Sequence, residues 1–255
     1  MLVWGYFIAM ALFVVGYFVA RGRFDLITCK RPILQIARPG FLAGSIACLF
    51  VSLTYLPIAE ATAIGFTAPL FIIALSVPIL GEQVGWHRWM AVIVGLAGVL
   101  IIVRPGGSVW HWSAVMALTG AVSFATFQIV TRLLAGQDRQ QTTLIYTSIG
   151  GIAWTSLLVP FYWTTPTTTH MLMFLAIGAM GAGAHFFMLQ AFAHTEASLL
   201  APFNYSKLIW VTILGYLVFS DLPGVNTLIG SAIIAAAGLY VLYRENRATK
   251  APRTS

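Results

Sequence analysis

Tyr55-Leu-Pro-Ile-Ala-Glu-Ala opens the stretch that decides the fold; an apolar segment, Gly81-Glu-Gln-Val-Gly and a second apolar segment follow, ending at Arg104. The same pattern returns from Phe192-Ala-His-Thr-Glu-Ala through Ser220-Asp-Leu-Pro-Gly, again with two apolar segments. A pattern that occurs twice with segments of membrane length predicts two structural repeats. Among membrane proteins this architecture belongs mostly to transporters.

The composition places the chain in a lipid bilayer. Hydrophobic residues make up 59% of the sequence and charged residues only 8%, whereas a soluble domain has roughly 25% charged residues. Most charges fall in short breaks between apolar runs of about 15 to 22 residues, which is the length that crosses a bilayer core. The sequence therefore predicts an all-α, polytopic membrane protein.

Nine transmembrane helices are expected, and their orientation follows from the basic residues. The predicted spans are about 2–20, 40–56, 60–80, 89–103, 112–133, 142–162, 171–192, 198–219 and 225–243. If residues 21–38 are cytoplasmic, all but Arg104 and Lys207 of the 14 Lys and Arg residues lie on the cytoplasmic side. We therefore expect a multi-pass protein of the inner (plasma) membrane with a cytoplasmic carboxyl terminus.

The two repeats, residues 1–104 and 112–243, are predicted to be inverted, and 244–255 form a basic cytoplasmic tail. The Gly81 loop then lies inside and the Ser220 loop outside. Inversion requires an odd number of helices in each repeat, but the first repeat shows four and the second five. We therefore expect that one helix is missing before the first span.

The motifs resemble the EamA family of the drug/metabolite transporter superfamily. The resemblance is carried by Tyr55-Leu-Pro-Ile-Ala-Glu-Ala-Thr-Ala-Ile-Gly-Phe-Thr-Ala-Pro-Leu and Gly81-Glu-Gln-Val-Gly-Trp-His-Arg-Trp in the first repeat. Glu196-Ala-Ser-Leu-Leu-Ala-Pro-Phe-Asn-Tyr carries it in the second. It implies ten helices in two inverted repeats and a metabolite, amino-acid-like or drug-like cargo. The chain departs from it at the first helix and at Ser220-Asp, where the family often has Gly-Glu.

Lys207 is the first candidate for binding a substrate. It lies near the middle of the span 198–219, where an ammonium group costs roughly 2.5 to 3.5 kcal/mol on insertion scales. A cavity-facing cation there would meet a carboxylate or phosphate, and Asn204 lies one turn earlier on the same helical face. The alternative is a structural pair or a bond to free backbone carbonyls.

His185 and Gln128 are candidates to complete this site, because polar groups in membrane helices face the interior of a bundle. Each has a structural alternative, a hydrogen bond between two helices. His185 could also carry a proton, because its side chain titrates near neutral pH.

A further group of residues is assigned to gating or structure. Prolines interrupt the backbone ladder of a helix, and broken helices mark the binding sites of many transporters. A carboxylate in a first helical turn accepts unpaired N–H groups, whereas one at a helix end pairs with a basic neighbour such as Arg88 or acts in gating. The group comprises Pro69, Pro202, Glu60, Glu196, Glu82 and Asp221.

The sequence predicts a secondary transporter that moves a small organic metabolite or drug-like molecule across the membrane by alternating access. No enzyme motif, nucleotide-binding loop, metal-binding cluster or cofactor signature is present, so no catalytic residue, metal or cofactor is assigned. The expected partners are the small-molecule substrate and the lipid bilayer, and no nucleic acid. The sequence leaves open whether transport is coupled to protons or other ions and whether the protein forms a homodimer. The alternative function is a non-transporting membrane partner or a degenerate carrier subunit.

Overall fold

The computed structural model describes residues 1–22, 28–82, 84–103, 112–161, 163–200, 210, 213, 217 and 224–250. Within these ranges the longer elements are α-helices, and a short 3₁₀ turn covers Val159–Phe161. The helices are α1 (Leu2–Ala20), α2 (Pro32–Leu53), α3 (Ile58–Gly65), α4 (Ala68–Leu80), α5 (Trp86–Val103), α6 (Trp112–Leu134), α7 (Gln140–Ser156), α8 (Thr168–His194), α9 (Ala197–Leu200) and α10 (Val225–Lys250).

The helices have the length and apolar character of membrane spans. Among the described residues, five helical segments meet both criteria: Leu2–Ala20, Pro32–Leu53, Glu60–Leu80, Trp112–Leu134 and Thr168–His194. Two shorter apolar helices cover Trp86–Ile102 and Val225–Tyr240. The prediction of an all-α, polytopic membrane protein is confirmed. The predicted span 198–219 falls mostly outside the described residues, and α9 covers its first turn.

The predicted break before the second span was wrong. Arg38-Pro-Gly was expected to end a loop, but α2 begins at Pro32 and continues through Arg38 and Pro39. Proline fits a first helical position because its missing N–H would have no partner there. Pro39 is tolerated inside the helix because its ring packs where Gly150 of α7 has no side chain. Arg38 is therefore a helix residue rather than a loop residue.

The predicted span 60–80 is divided into two helices. α3 ends at Gly65 and α4 begins at Ala68, with Pro69 in the first turn of the new helix. Pro69 cannot donate a backbone hydrogen bond to Gly65, so the ladder is interrupted at this point. The hydroxyl of Thr67 donates to the carbonyl oxygen of Ile64 at 2.7 Å and stabilises the end of α3.

The helices form two compact units, each with members from both ends of the chain. Unit 1 comprises the described parts of Met1–Ile46 and Val130–Thr195, and unit 2 those of Ala47–Ile129 and Glu196–Ser255. Helices α2 and α6 contribute residues to both units. The predicted repeats, 1–104 and 112–243, divide the chain differently and stay a prediction. The tail predicted from residue 244 is helical as far as Lys250.

Contacts within unit 1 define the directions of its helices. The indole nitrogen of Trp4 donates to Ser156 at 3.0 Å and Phe7 packs at Gly151, so α1 and α7 are antiparallel. The contacts of Gly5 with Phe174 and of Ala9 with Gly178 make α8 parallel to α1. The bonds from Gln35 to Thr143 and from Arg38 to Thr147 make α2 parallel to α7. Helices α1 and α7, and α2 and α8, therefore run in opposite directions.

In unit 2, α5 and α10 are also antiparallel. His87 near the start of α5 contacts Tyr240 towards the end of α10, and Gly98 packs against Gly230 and Ile234. Three pairs of helices are equivalent by their order in the two predicted repeats: α1 and α7, α2 and α8, and α5 and α10. Their opposite directions are those that an inverted pair of repeats requires.

Replacing Gly98 with Ala should separate α5 from α10. A Cβ atom at Gly98 would lie 2.9 Å from the carbonyl oxygen of Gly230, and a backbone oxygen cannot rotate away. We expect Gly98→Ala to lower the free energy of unfolding by about 1–3 kcal/mol, measured by denaturation in detergent micelles. Gly183→Ala in α8 is the control, because a Cβ there meets no atom within 4 Å. Equal stability of the two variants would contradict the close packing.

Candidate functional site

The structure locates some of the predicted site residues and leaves others untested. Lys207, Asn204, Pro202 and Asp221 lie outside the described residues, so their assignment stays a prediction.

His185 lies in α8 and is 9% exposed. Its Nε2 atom is 3.1 Å from the hydroxyl oxygen of Tyr6 in α1. Gly181, one turn before His185, provides room for the Tyr6 ring, because a Cβ atom there would overlap the ring. This contact is the hydrogen bond between helices that the sequence left as the alternative role of His185.

Gln128 is buried in α6, with 3% of its surface exposed. It belongs to unit 2, whereas His185 belongs to unit 1. The structure therefore does not test whether these two side chains contribute to one substrate site, and that part of the prediction stays a prediction.

Glu82 connects the end of α4 to the beginning of α9. Its Oε1 atom accepts a hydrogen bond from the backbone N–H of Ala197 at 3.1 Å. The first N–H groups of a helix have no partner within the helix, and a negative charge there also complements the helix dipole. Both residues belong to unit 2. A carboxylate at the end of one helix thus caps the start of another.

The other acidic candidates lie at helix starts, as their sequence positions suggested. Glu60 is half-buried in the first turn of α3. Glu196 is exposed, and its carbonyl oxygen accepts the N–H groups of Leu199 and Leu200. At Ala197 the first N–H group of α9 is bonded by Glu82, and the capping role of the Glu196 carboxylate stays a prediction.

The polar cluster that sequence reasoning missed surrounds Arg38, whose side chain is completely buried. The Nε atom of Arg38 donates to the hydroxyl of Thr131 in α6 at 2.7 Å. Its Nη1 atom donates to the hydroxyl of Thr147 at 2.6 Å and to the carbonyl oxygen of Thr143 at 3.3 Å, both in α7. One guanidinium group therefore joins three helices of unit 1.

Gln35, one turn before Arg38, extends this cluster. Its Nε2 atom donates to the hydroxyl of Thr143 at 2.9 Å and to Asp138 at 3.0 Å. Asp138 also accepts the backbone N–H of Lys30 at 2.7 Å, which joins the start of α2 to the loop between α6 and α7. Among the described residues, the buried atoms Oε1 of Gln35 and Oγ1 of Thr142 have no hydrogen-bond partner.

A buried arginine within a membrane helix has a definite energetic cost. Insertion scales assign roughly 2.5–3.5 kcal/mol to a basic side chain at a helix centre, and such residues are often functional in membrane proteins. Arg38 lies in the first half of α2. Some features of the sequence favour a helix that includes Arg38 and a polar partner helix. Pro32 fits a first helical position, the residues between it and Arg38 are apolar except Gln35, and α7 carries a cluster of threonines: Thr142, Thr143 and Thr147.

Polytopic helices in opposed pairs, with buried polar residues inside them, are typical of membrane transport proteins. The chain matches the EamA-like transporter family over residues 1–104 and 111–244 and belongs to that family. It is therefore a transporter and not an enzyme.

Relatives agree with this assignment, and a solved structure shares the fold. The S-adenosylmethionine uptake transporter of Rickettsia prowazekii (strain Madrid E) is 29% identical, over 89% of this chain and 77% of that protein. The riboflavin transporter of Rhizobium johnstonii is 29% identical, over 87% and 74% of the two chains. The pseudopaline exporter CntI of Pseudomonas aeruginosa is 27% identical, over 75% and 68%. A crystal structure of a protein shares the fold, with a TM-score of 0.73 and 20% identity, over 96% of this chain and 88% of that chain.

Replacing Tyr6 with Phe tests how much the hydrogen bond between α1 and α8 contributes to stability. It removes the hydroxyl that bonds His185, so we expect the free energy of unfolding to fall by about 0.5–1.5 kcal/mol in detergent. Tyr17→Phe is the matched control in the same helix, because Tyr17 is half exposed and its ring contacts remain in Phe. A Tyr6→Phe protein as stable as the control variant would rule out this bond as a source of stability.

Proposed function

We propose that this protein is a secondary transporter that moves a small organic molecule across the plasma membrane by alternating access. The observation that carries the proposal is the opposite direction of the three equivalent helix pairs. Two inverted repeats of one fold can exchange their conformations, and the exchange opens a central site first to one side of the membrane and then to the other.

The divided helix α3–α4 supports this mechanism. Non-helical backbone at membrane depth is tolerated where protein groups or a water-filled cavity satisfy its polar atoms. Helix α4 begins directly after the break at residues 66–67 and ends just before Glu82. The Glu82 side chain in turn caps the start of α9. We assign Glu82 to gating, because its bond joins a helix of the first predicted repeat to a helix of the second. Lys207 and Asn204 stay the proposed ligands of the cargo.

The names of the relatives support an organic metabolite as the proposed cargo. S-adenosylmethionine, riboflavin and pseudopaline are named for proteins of similar sequence. Two of these names concern uptake or transport and one concerns export, so they leave the direction open. The distribution of basic residues supports a plasma-membrane protein with a cytoplasmic carboxyl terminus.

Uptake into proteoliposomes tests the proposal. The purified full chain is reconstituted, and entry of labelled S-adenosylmethionine and riboflavin is measured with and without a proton or sodium gradient. We expect saturable uptake of an organic cargo above that of protein-free liposomes. If neither cargo enters, a panel of zwitterionic and heterocyclic metabolites follows, and failure of the whole panel would favour a non-transporting membrane partner.

Variants of Glu82 separate its charge from its hydrogen bond. Glu82→Ala removes both, and hydrogen bonds to charged groups contribute about 1.5–3 kcal/mol, so we expect the initial transport rate to fall about tenfold or more. Glu82→Gln keeps an oxygen that can accept the hydrogen bond from the N–H of Ala197. We expect its initial transport rate to fall only a few-fold. A transport rate of Glu82→Ala equal to that of the unmodified protein would refute the gating role.

A further inference from the structure

Arg38 joins the two helices that contribute to both compact units. Within unit 1 its guanidinium donates to Thr131 of α6 and to Thr143 and Thr147 of α7. Both α2 and α6 continue beyond these contacts into residues of unit 2. The bonds of Arg38 therefore set how the unit 1 ends of α2 and α6 lie against each other and against α7.

The backbone of α2 is interrupted at the same position. Pro39 has no N–H group and cannot donate to the carbonyl oxygen of Gln35. Side chains take over there: Gln35 bonds Thr143 at 2.9 Å, Arg38 bonds Thr147 at 2.6 Å, and the Pro39 ring packs at Gly150. α2 is thus held to α7 where its own ladder is weakest.

Stability alone is a poor explanation for this arginine. Burying a charged group costs its hydration, and well-packed apolar residues can often replace buried ionic groups without loss of stability. A guanidinium instead offers donors in a rigid planar fork, which fixes the geometry of its partners. The acceptors of Arg38 lie on two different helices, so the fork determines the relative orientation of three helices.

We propose that Arg38 is a positioning residue for transport. Its guanidinium makes the start of α2, the end of α6 and the facing part of α7 move as one body, and it does not contact the cargo. The proposal extends the proposed function, because the motion it concerns is that of alternating access. A loss of Arg38 should slow the conformational change while leaving cargo affinity intact.

The first arm of the test is kinetic and uses four variants in proteoliposomes. Arg38→Met removes the charge and the donors, Arg38→Lys keeps the charge without the fork, and Thr147→Val removes one acceptor. Thr142→Val is the matched control, because the Thr142 hydroxyl is buried on the same helix and has no hydrogen-bond partner within the described ranges.

We expect the maximal transport rate of Arg38→Met to fall at least tenfold, with KM changed less than about twofold. Arg38→Lys should fail to restore the rate, Thr147→Val should give an intermediate rate, and Thr142→Val should match the unmodified protein. A raised KM with an unchanged maximal rate would mean that Arg38 contacts cargo and would overturn the proposal. Lower thermal stability with both kinetic constants unchanged would overturn it as well.

The second arm needs no cargo and so stands apart from the proposed function. Spin labels are placed at Ile33 of α2 and Ile149 of α7, which are 81% and 50% exposed, in a protein with Cys29→Ser and Cys48→Ser. We expect one narrow distance distribution with Arg38 present and a broadened or shifted one in Arg38→Met and Arg38→Lys. An identical distribution in all variants would overturn the proposal. Absence of transport by the unmodified protein would refute only the proposed function.

Discussion

A bilayer offers no water to a polar group, so an N–H, C=O or hydroxyl within its core is costly unless it finds a partner inside the protein. This constraint explains much of the structure. Serine and threonine hydroxyls bond carbonyl groups of the preceding turn, as Ser76 does to Ile73 and Thr155 to Gly151. Where a proline interrupts the ladder, side chains or a new helix start compensate, at Pro39 and at Pro69 respectively. Two charged groups, Arg38 and Glu82, are bonded to neighbouring helices.

These two residues have a common feature: each joins helices of the first predicted repeat to helices of the second. Arg38 of α2 bonds α6 and α7 in unit 1, and Glu82 after α4 caps α9 in unit 2. In the proposed mechanism the Arg38 bonds keep their three helices together as one body, whereas the Glu82 bond breaks or is transferred when the transporter changes its conformation. Hydrogen bonds to charged groups suit both roles because they are strong and directional.

Membrane character and the helices along most of the chain could be predicted, because long apolar runs indicate them directly. The sidedness expected from the basic residues stays a prediction. The break near Pro69 also followed from local chemistry. Arg38 could not be placed so easily, because an Arg-Pro-Gly sequence is typical of loops and its helical conformation depends on contacts with α7, more than 100 residues away in sequence. The bond between Glu82 and Ala197 is likewise tertiary, because the two residues lie 115 positions apart in sequence and no local pattern predicts their contact.

The opposite direction of equivalent helices is the claim on which the transport mechanism depends, and the sidedness of two loops tests it most directly. In a protein without Cys29 and Cys48, single cysteines replace Lys30, between α1 and α2, and Thr164, between α7 and α8. A membrane-impermeant maleimide is applied to intact cells and then to permeabilised cells. We predict that the cysteine at 164 reacts in intact cells and that the cysteine at 30 reacts only after permeabilisation. Reaction of both from the same side of the membrane would contradict the inverted arrangement.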